Sequence, residues 1–295
     1  MSLLTLTELW SEVPDANSDR ELFDLAAGLS QSIARLCNRA IAMRASEAAS
    51  VDGVATIKVP RHSLSVGQSV SLYSVSDPEN WSGVFEVTSV GCIDTFTVTL
   101  VDHEEPPEET ITLEHQGELT VRPVIDAVLP TNGGSSIFLD PRPVAEVLSV
   151  ELGQSDGTFA DPLELEDFGL SEVKQGVSFT GELTLFSGSF PCRSSTPRSR
   201  GFLSGGLPAG GSFRNGYAMP RGARIRYVSG EPLVPSDLIY ACRKLVSAIR
   251  KRAKRGDMKS MSYDYFSYTR MSGDELAGLV GEAESIIQSH RLAVM

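Results

Sequence analysis

Hydrophobic positions repeat with the period of an α-helix near the N-terminus. Ser18 and Asp19 provide a start signal, and the apolar residues that follow recur at spacings of three and four, which places them on one helix face. These positions are Leu22, Leu25, Ala26, Leu29, Ile33, Leu36 and Ala40. A shorter helical turn is predicted around residues 6–10.

The C-terminal part predicts two more amphipathic helices. Pro235 and Ser236 begin the first, with Ser236 or Asp237 as N-cap, and Gly256 ends it. Its apolar face consists of Ile239, Cys242, Val246, Ile249 and Ala253. A capping box at residues 272–275 begins the second. The apolar face of this last helix consists of Leu276, Leu279, Val280, Ala283, Ile286 and Ile287.

Between these ends the period changes to two, which is typical of β-strands. In residues 53–121, alternating strands are separated by turn residues at 65–68, at 77–80 and near Gly91. This pattern predicts a small β-barrel or sandwich that folds largely by itself. In residues 122–235, further strands are predicted at 137–139, 144–152, 183–186 and 224–228.

Residues 191–220 are rich in Gly and Pro, lack periodicity and exceed the length of an ordinary connection. Two interpretations are open: a surface loop, or a loop ordered by neighbouring subunits. Its candidate inter-subunit or channel residues are Arg193, Arg198, Arg200 and Arg214.

Together these patterns predict an α+β fold in which a small helical bundle, formed by both chain termini, carries inserted β-rich segments. The expected division is a helical part at 1–52, an inserted β domain at 53–121, a second β segment at 122–235 and a helical part at 236–295.

Charge is separated along the chain, which has a formal net charge of −12. Residues 62–121 contain eleven Asp and Glu and no Lys or Arg, whereas residues 193–255 contain fourteen Lys and Arg against two acids, a local net charge of +12. Such subunits suit directional stacking or ring assembly, in which unlike faces meet. The alternative is that each segment is a solvated face.

The helix that begins at Ser236 concentrates cations in an acidic chain, which points to a protein or nucleic-acid partner. The predicted partner interface consists of Arg243, Lys244, Arg250, Lys251, Arg252, Lys254 and Arg255. The segment that follows is aromatic, and its residues either pack against a neighbouring element or subunit or stack on nucleotide bases. They are Tyr263, Tyr265, Phe266 and Tyr268.

Motifs for catalysis or cofactor binding are missing from the sequence. The four histidines and four cysteines show no metal-ligand spacing, and there is no phosphate-binding GxxxxGK, no GxGxxG and no GxSxG. The acidic run at 103–109 fits an exposed loop better than a cation site, because it contains two prolines and no glycine. We therefore expect no enzymatic activity, no cofactor and no metal. The N-terminal sequence resembles no secretory signal, and no apolar run has the length of a membrane span.

Four passages, in this order, resemble the head–tail connector (adaptor) proteins of tailed bacteriophages. The most similar is RIRYVSGEPLVPSDLIYACRKLVSAI at 224–249, which looks like the strand ending in Tyr, the Gly and the Pro-led helix of that family. The others are RELFDLAAGLSQSIARLCNRAI at 20–41, SSIFLDPRPVAEVLSVEL at 135–152 and SMSYDYFSYTRMSGDELAGLVGEAESIIQSHRL at 260–292. The β segment at 53–121 and the loop at 191–220 exceed the compact pattern of the family.

The resemblance implies a non-enzymatic virion protein that is made in the cytoplasm of a bacterial host and lies in the neck, at the head–tail interface. It implies a homo-oligomeric ring, typically a dodecamer, that binds the portal protein and a tail, neck or stopper protein while genomic DNA passes through its channel. Two alternatives remain open: a DNA-contacting tail-completion or neck protein, and a virion module that binds a receptor or carbohydrate through residues 53–121.

Overall fold

A computed structural model describes residues 3–16, 18–51, 53–75, 78–100, 111–112, 119–131, 133–154, 158–191, 222–254 and 274–292. Its helices are α1 Leu6–Glu12, α2 Asp19–Cys37, α3 Pro78–Trp81, α4 Ser236–Lys254 and α5 Asp274–Ser289. The sequence prediction for α2 is confirmed: the Ser18 hydroxyl accepts a hydrogen bond from the Glu21 amide, and Asn38 ends the helix in the left-handed region, at φ 50°. None of the helices in the described ranges combines the length and apolar character that a bilayer crossing needs.

Fifteen strands lie in the described part of the chain. They are β1 Met43–Arg44, β2 Glu47–Val51, β3 Val54–Lys58, β4 Ser69–Ser74, β5 Gly83–Cys92, β6 Thr95–Thr99, β7 Ile111–Thr112, β8 Leu119–Pro130, β9 Ser136–Phe138, β10 Val144–Leu152, β11 Phe168–Leu170, β12 Val173–Lys174, β13 Val177–Ser178, β14 Glu182–Leu185 and β15 Gly222–Ser229.

Twelve of these strands form one antiparallel sheet. Eleven follow the order β12-β13-β10-β15-β8-β4-β5-β6-β3-β2-β7, and β1 pairs with β8 beside this path. The other three form a small sheet in the order β11-β14-β9. Two long strands connect parts of the large sheet. β8 pairs with β4 through its first half and with β15 through its second half, and β5 pairs first with β4 and then with β6.

Three apolar clusters hold the described elements together. Helices α1, α2, α4 and α5 share one cluster, so the two ends of the chain pack against each other. A second cluster lies among strands β1–β6 and the start of β8 and includes Trp81 and Phe96. The third lies between the small sheet and β8, β10 and β15, and it includes the buried Tyr227 and Phe190.

The predicted fold class, a helical bundle from both termini with inserted β segments, is wrong. The described residues are mostly β, and the strands form a sheet of twelve strands rather than insertions in a helical body. The prediction failed because pairing between strands that are distant in sequence leaves no trace in local periodicity.

The expected domain divisions remain predictions, and two structural details bear on their position. β8 runs through position 121, so that division falls inside a strand. The apolar cluster of the first β region also begins before residue 53, since it includes Met43, Ala45 and Ala48.

Candidate partner interface

Glu8 on α1 connects three elements through its carboxylate. One oxygen accepts hydrogen bonds from the Thr5 amide at 2.9 Å and the Arg44 guanidinium at 2.7 Å. The other oxygen accepts from Arg243 of α4 at 2.6 Å. The contact with Thr5 belongs to a capping box that begins α1. Glu8 therefore fixes α1 against both β1 and α4.

These partners control the ionisation of Glu8. Burial is the largest influence and by itself raises the pKa of the carboxyl group. The Thr5 amide and the two guanidinium groups act in the opposite direction and outweigh it, so the pKa of Glu8 lies below its ordinary value. Glu8 is a structural anion, and its partner Arg243 is engaged within the chain.

A second group of contacts ties the middle of α4 to the N-terminal region. Arg250 donates from Nε to a carboxylate oxygen of Asp15 at 3.0 Å, and Glu21 lies 3.8 Å from the same guanidinium. One turn earlier, the Ser247 hydroxyl donates to Glu12 at 2.5 Å. The acidic side chains of α1, its following turn and α2 therefore line the polar side of α4.

Lys244 faces α5 instead. Its ammonium group lies 3.6 Å from Glu282 and 4.9 Å from the centre of the Tyr240 ring, and the Tyr240 hydroxyl also donates to Glu282, at 3.0 Å. The hydrogen bond with Tyr240 is the largest of the influences that raise the pKa of Lys244. This exposed cluster stabilises the α4–α5 contact.

The structure therefore assigns intramolecular contacts to three members of the predicted interface: Arg243, Lys244 and Arg250. The side chains of Lys251, Arg252 and Lys254, and the whole of Arg255, lie outside the described residues. The same holds for the candidate loop arginines and aromatics. These are Arg193, Arg198, Arg200, Arg214, Tyr263, Tyr265, Phe266 and Tyr268.

The residues after α5 are held by a series of polar contacts that the sequence did not reveal. Arg39 donates to Nδ1 of His290 at 3.0 Å, and Nε2 of His290 donates to Asp237 at 2.5 Å. Arg39 also pairs with Glu231 at 2.5 Å. These residues come from three distant parts of the chain, around positions 39, 231–237 and 290, so only the folded chain brings them together.

A groove of about 540 Å³ separates α2 from residues 61–64. Arg61 pairs with Asp24 across it. The buried His62 is fully used in hydrogen bonding: Nδ1 accepts from the Leu64 amide at 3.0 Å, so the proton is on Nε2, which donates to the Cys92 carbonyl at 3.2 Å. The imidazole thus has no free nitrogen for acid–base chemistry. Within the described ranges no cluster of His, Cys, Asp and Glu is arranged to hold a metal ion.

Comparisons with known proteins add no relative: no family model, no curated protein and no solved structure matches this chain.

Proposed function

We propose that this chain is a structural assembly protein of the head–tail connector (adaptor) class. In this role, copies form a ring beneath the portal protein, present a docking surface to a tail, neck or stopper protein, and leave a channel for DNA. The protein would act through its surfaces rather than through a catalytic centre.

The supporting observation is the conformation of the passage that carries the greatest resemblance. β15 is a central strand of the large sheet, and Gly230 follows it at φ 101°, a conformation that favours glycine. Pro235 then precedes α4, which packs on α2 and thus on the N-terminal passage that also resembles the family. Helix α5, from the passage at 260–292, contributes Ala283 and Ile287 to the same cluster, so three of the four passages meet there.

The DNA-contacting alternative is less well supported. Phosphate binding requires cations that are available to exchange counterions. Arg243, Lys244 and Arg250 instead have carboxylate partners within the chain. Glu8, Glu282 and Asp15 would have to release these three side chains before they could bind phosphate.

Native mass spectrometry of the purified full chain tests the proposal. A ring gives one dominant species whose mass is an integral multiple of 31.8 kDa. A chain that stays monomeric over a wide concentration range, and that binds duplex DNA with an affinity that falls steeply with salt, would contradict the connector role and favour the DNA-contacting alternative.

A further inference from the structure

Two large apolar side chains are exposed at the same end of the small sheet. Leu165 precedes β11 and Phe186 follows β14, and the strand residues Phe168 and Leu185 pair with each other. Leu165 is 70% exposed and Phe186 is 68% exposed, the highest values among the large hydrophobic residues of the described ranges. Isolated exposed apolar residues are normal, but clustered ones mark interaction surfaces. We call Leu165, Phe186 and the carboxylates of Glu164, Glu166 and Asp167 the acid-rimmed patch.

The backbone holds this patch in a fixed arrangement. Leu165 lies in a tight turn that is closed by a hydrogen bond from the Asp167 amide to the Glu164 carbonyl, at 3.0 Å. The Phe186 amide donates to the Asp167 carbonyl at 2.8 Å. The adjacent residues Phe168 and Leu185 pair across β11 and β14 and are buried in the third apolar cluster. The patch therefore needs little ordering when it binds a partner.

A glycine determines how the Phe186 ring lies. A Cβ atom at Gly169 would be 2.6 Å from Cζ of Phe186, so the ring lies directly over the glycine backbone. Only a residue without a side chain permits this approach. Since Phe186 is nevertheless largely exposed, the face of the ring directed away from Gly169 is open to solvent and can accept a cation.

The three carboxylates form no ion pair with any residue in the described part of the chain, whereas Glu8 on α1 and Glu21 and Asp24 on α2 do. An open aromatic face, an exposed leucine and three unpaired carboxylates suit a segment that combines Lys or Arg with apolar groups. The same carboxylates would repel phosphates, so the surface does not suit nucleic acid.

We propose that the acid-rimmed patch of one copy binds the cationic end of α4 in a second copy. The sequence supplies the matching chemistry: residues 251–255 read Lys-Arg-Ala-Lys-Arg. A contact between two different surfaces of the same chain is head-to-tail, and it generates a ring when the rotation closes. This inference rests on the proposed ring-forming function and names the two surfaces that build the ring.

A charge exchange tests the contact. The Glu164→Lys, Glu166→Lys variant and the Lys251→Glu, Arg252→Glu variant should each weaken self-association at least about tenfold in sedimentation velocity, and the variant with all four changes should recover it. Circular dichroism verifies that each variant is folded. Failure of the fourfold variant to recover association, or unchanged association in the twofold variants, would overturn the proposal.

The Phe186 ring provides a test without a charge change. Gly169→Ala displaces the ring and should weaken association, whereas Gly91→Ala should not, because a Cβ there meets its nearest atom at 3.9 Å. If the two variants self-associate equally strongly, the Phe186 side chain does not take part in the proposed contact.

A labelled peptide of residues 246–256 separates this inference from the proposed function. It should bind the wild-type chain in fluorescence anisotropy and lose at least about tenfold in affinity against the Glu164→Lys, Glu166→Lys variant. If the peptide binds the patch but the chain forms no ring, the proposed contact stands and the proposed ring-forming function is refuted. If the chain forms a ring but the peptide binds the wild type and the Glu164→Lys, Glu166→Lys variant with equal affinity, the proposed function stands and the proposed contact is refuted.

Discussion

Glu8→Gln tests whether one carboxylate fixes the N-terminal helix to the rest of the protein. The change keeps the size of the side chain and an acceptor oxygen but removes the negative charge that Arg44 and Arg243 share. The Glu8 side chain is 17% exposed and that of Arg44 is 11% exposed, so water replaces the lost interaction poorly.

The expected loss follows from this burial. Breaking a fully buried ion pair costs about 3–5 kcal/mol, and the partial exposure of Glu8 and the greater exposure of Arg243 reduce this. We therefore expect Glu8→Gln to lower the free energy of unfolding by about 2 kcal/mol at pH 7. The matched control is Glu47→Gln, which removes an exposed pair with Lys58 at 3.2 Å and should cost about 0.5 kcal/mol or less.

Urea denaturation of the wild type and both variants, at several pH values, measures these differences. Because the folded pKa of Glu8 lies below its unfolded value, its stabilisation is complete above the unfolded pKa and is lost as pH falls through the folded pKa. The gap between wild type and Glu8→Gln should therefore narrow on acidification. A loss at pH 7 no larger than that of Glu47→Gln would refute the reasoning.

Three further predictions concern the β region. Burial lowers the pKa of His62, so the stability that the neutral imidazole contributes is present above the pKa of the unfolded state and is lost as pH falls through the folded pKa. NMR titration should give an imidazole pKa under the ordinary 6.5, and a higher value would contradict the buried neutral ring. Arg122 is buried, donates a hydrogen bond to Ser71 and has no ion pair among the described residues. Arg122→Met should therefore change the free energy of unfolding in urea by no more than about 1 kcal/mol, and a loss of about 3 kcal/mol or more would contradict this. Residues 43–123 expressed alone should unfold cooperatively in circular dichroism, whereas residues 53–121 should not, because they lack β1, β2 and the apolar residues before Gly53. Cooperative unfolding of the shorter segment would contradict this and support the division expected at residue 53.

Local pattern predicted single elements well. The prediction of β10 at 144–152 is confirmed residue for residue, and the start of α4 at Ser236 is also confirmed. These elements carry their signals within themselves: turn residues at the ends and one apolar face. The buried face of α4 was predicted only in part, since Leu238 and Leu245 also belong to the helical cluster.

Features that depend on distant residues could not be predicted. β8 carries prolines at both 123 and 130 and serves different partners along its length, so it shows no simple alternation. Arg243 and Arg250 of α4 looked available for a partner because their acceptors, Glu8 and Asp15, precede them by 235 residues. The patch around Phe186 was missed because its glycine lies on a neighbouring strand.

The central claim is that this chain assembles into a ring, and electron micrographs of the purified particle test it most directly. Class averages should show one closed ring of identical subunits around an opening wide enough for duplex DNA. Isolated subunits, two-fold dimers or open filaments as the only species would contradict the claim.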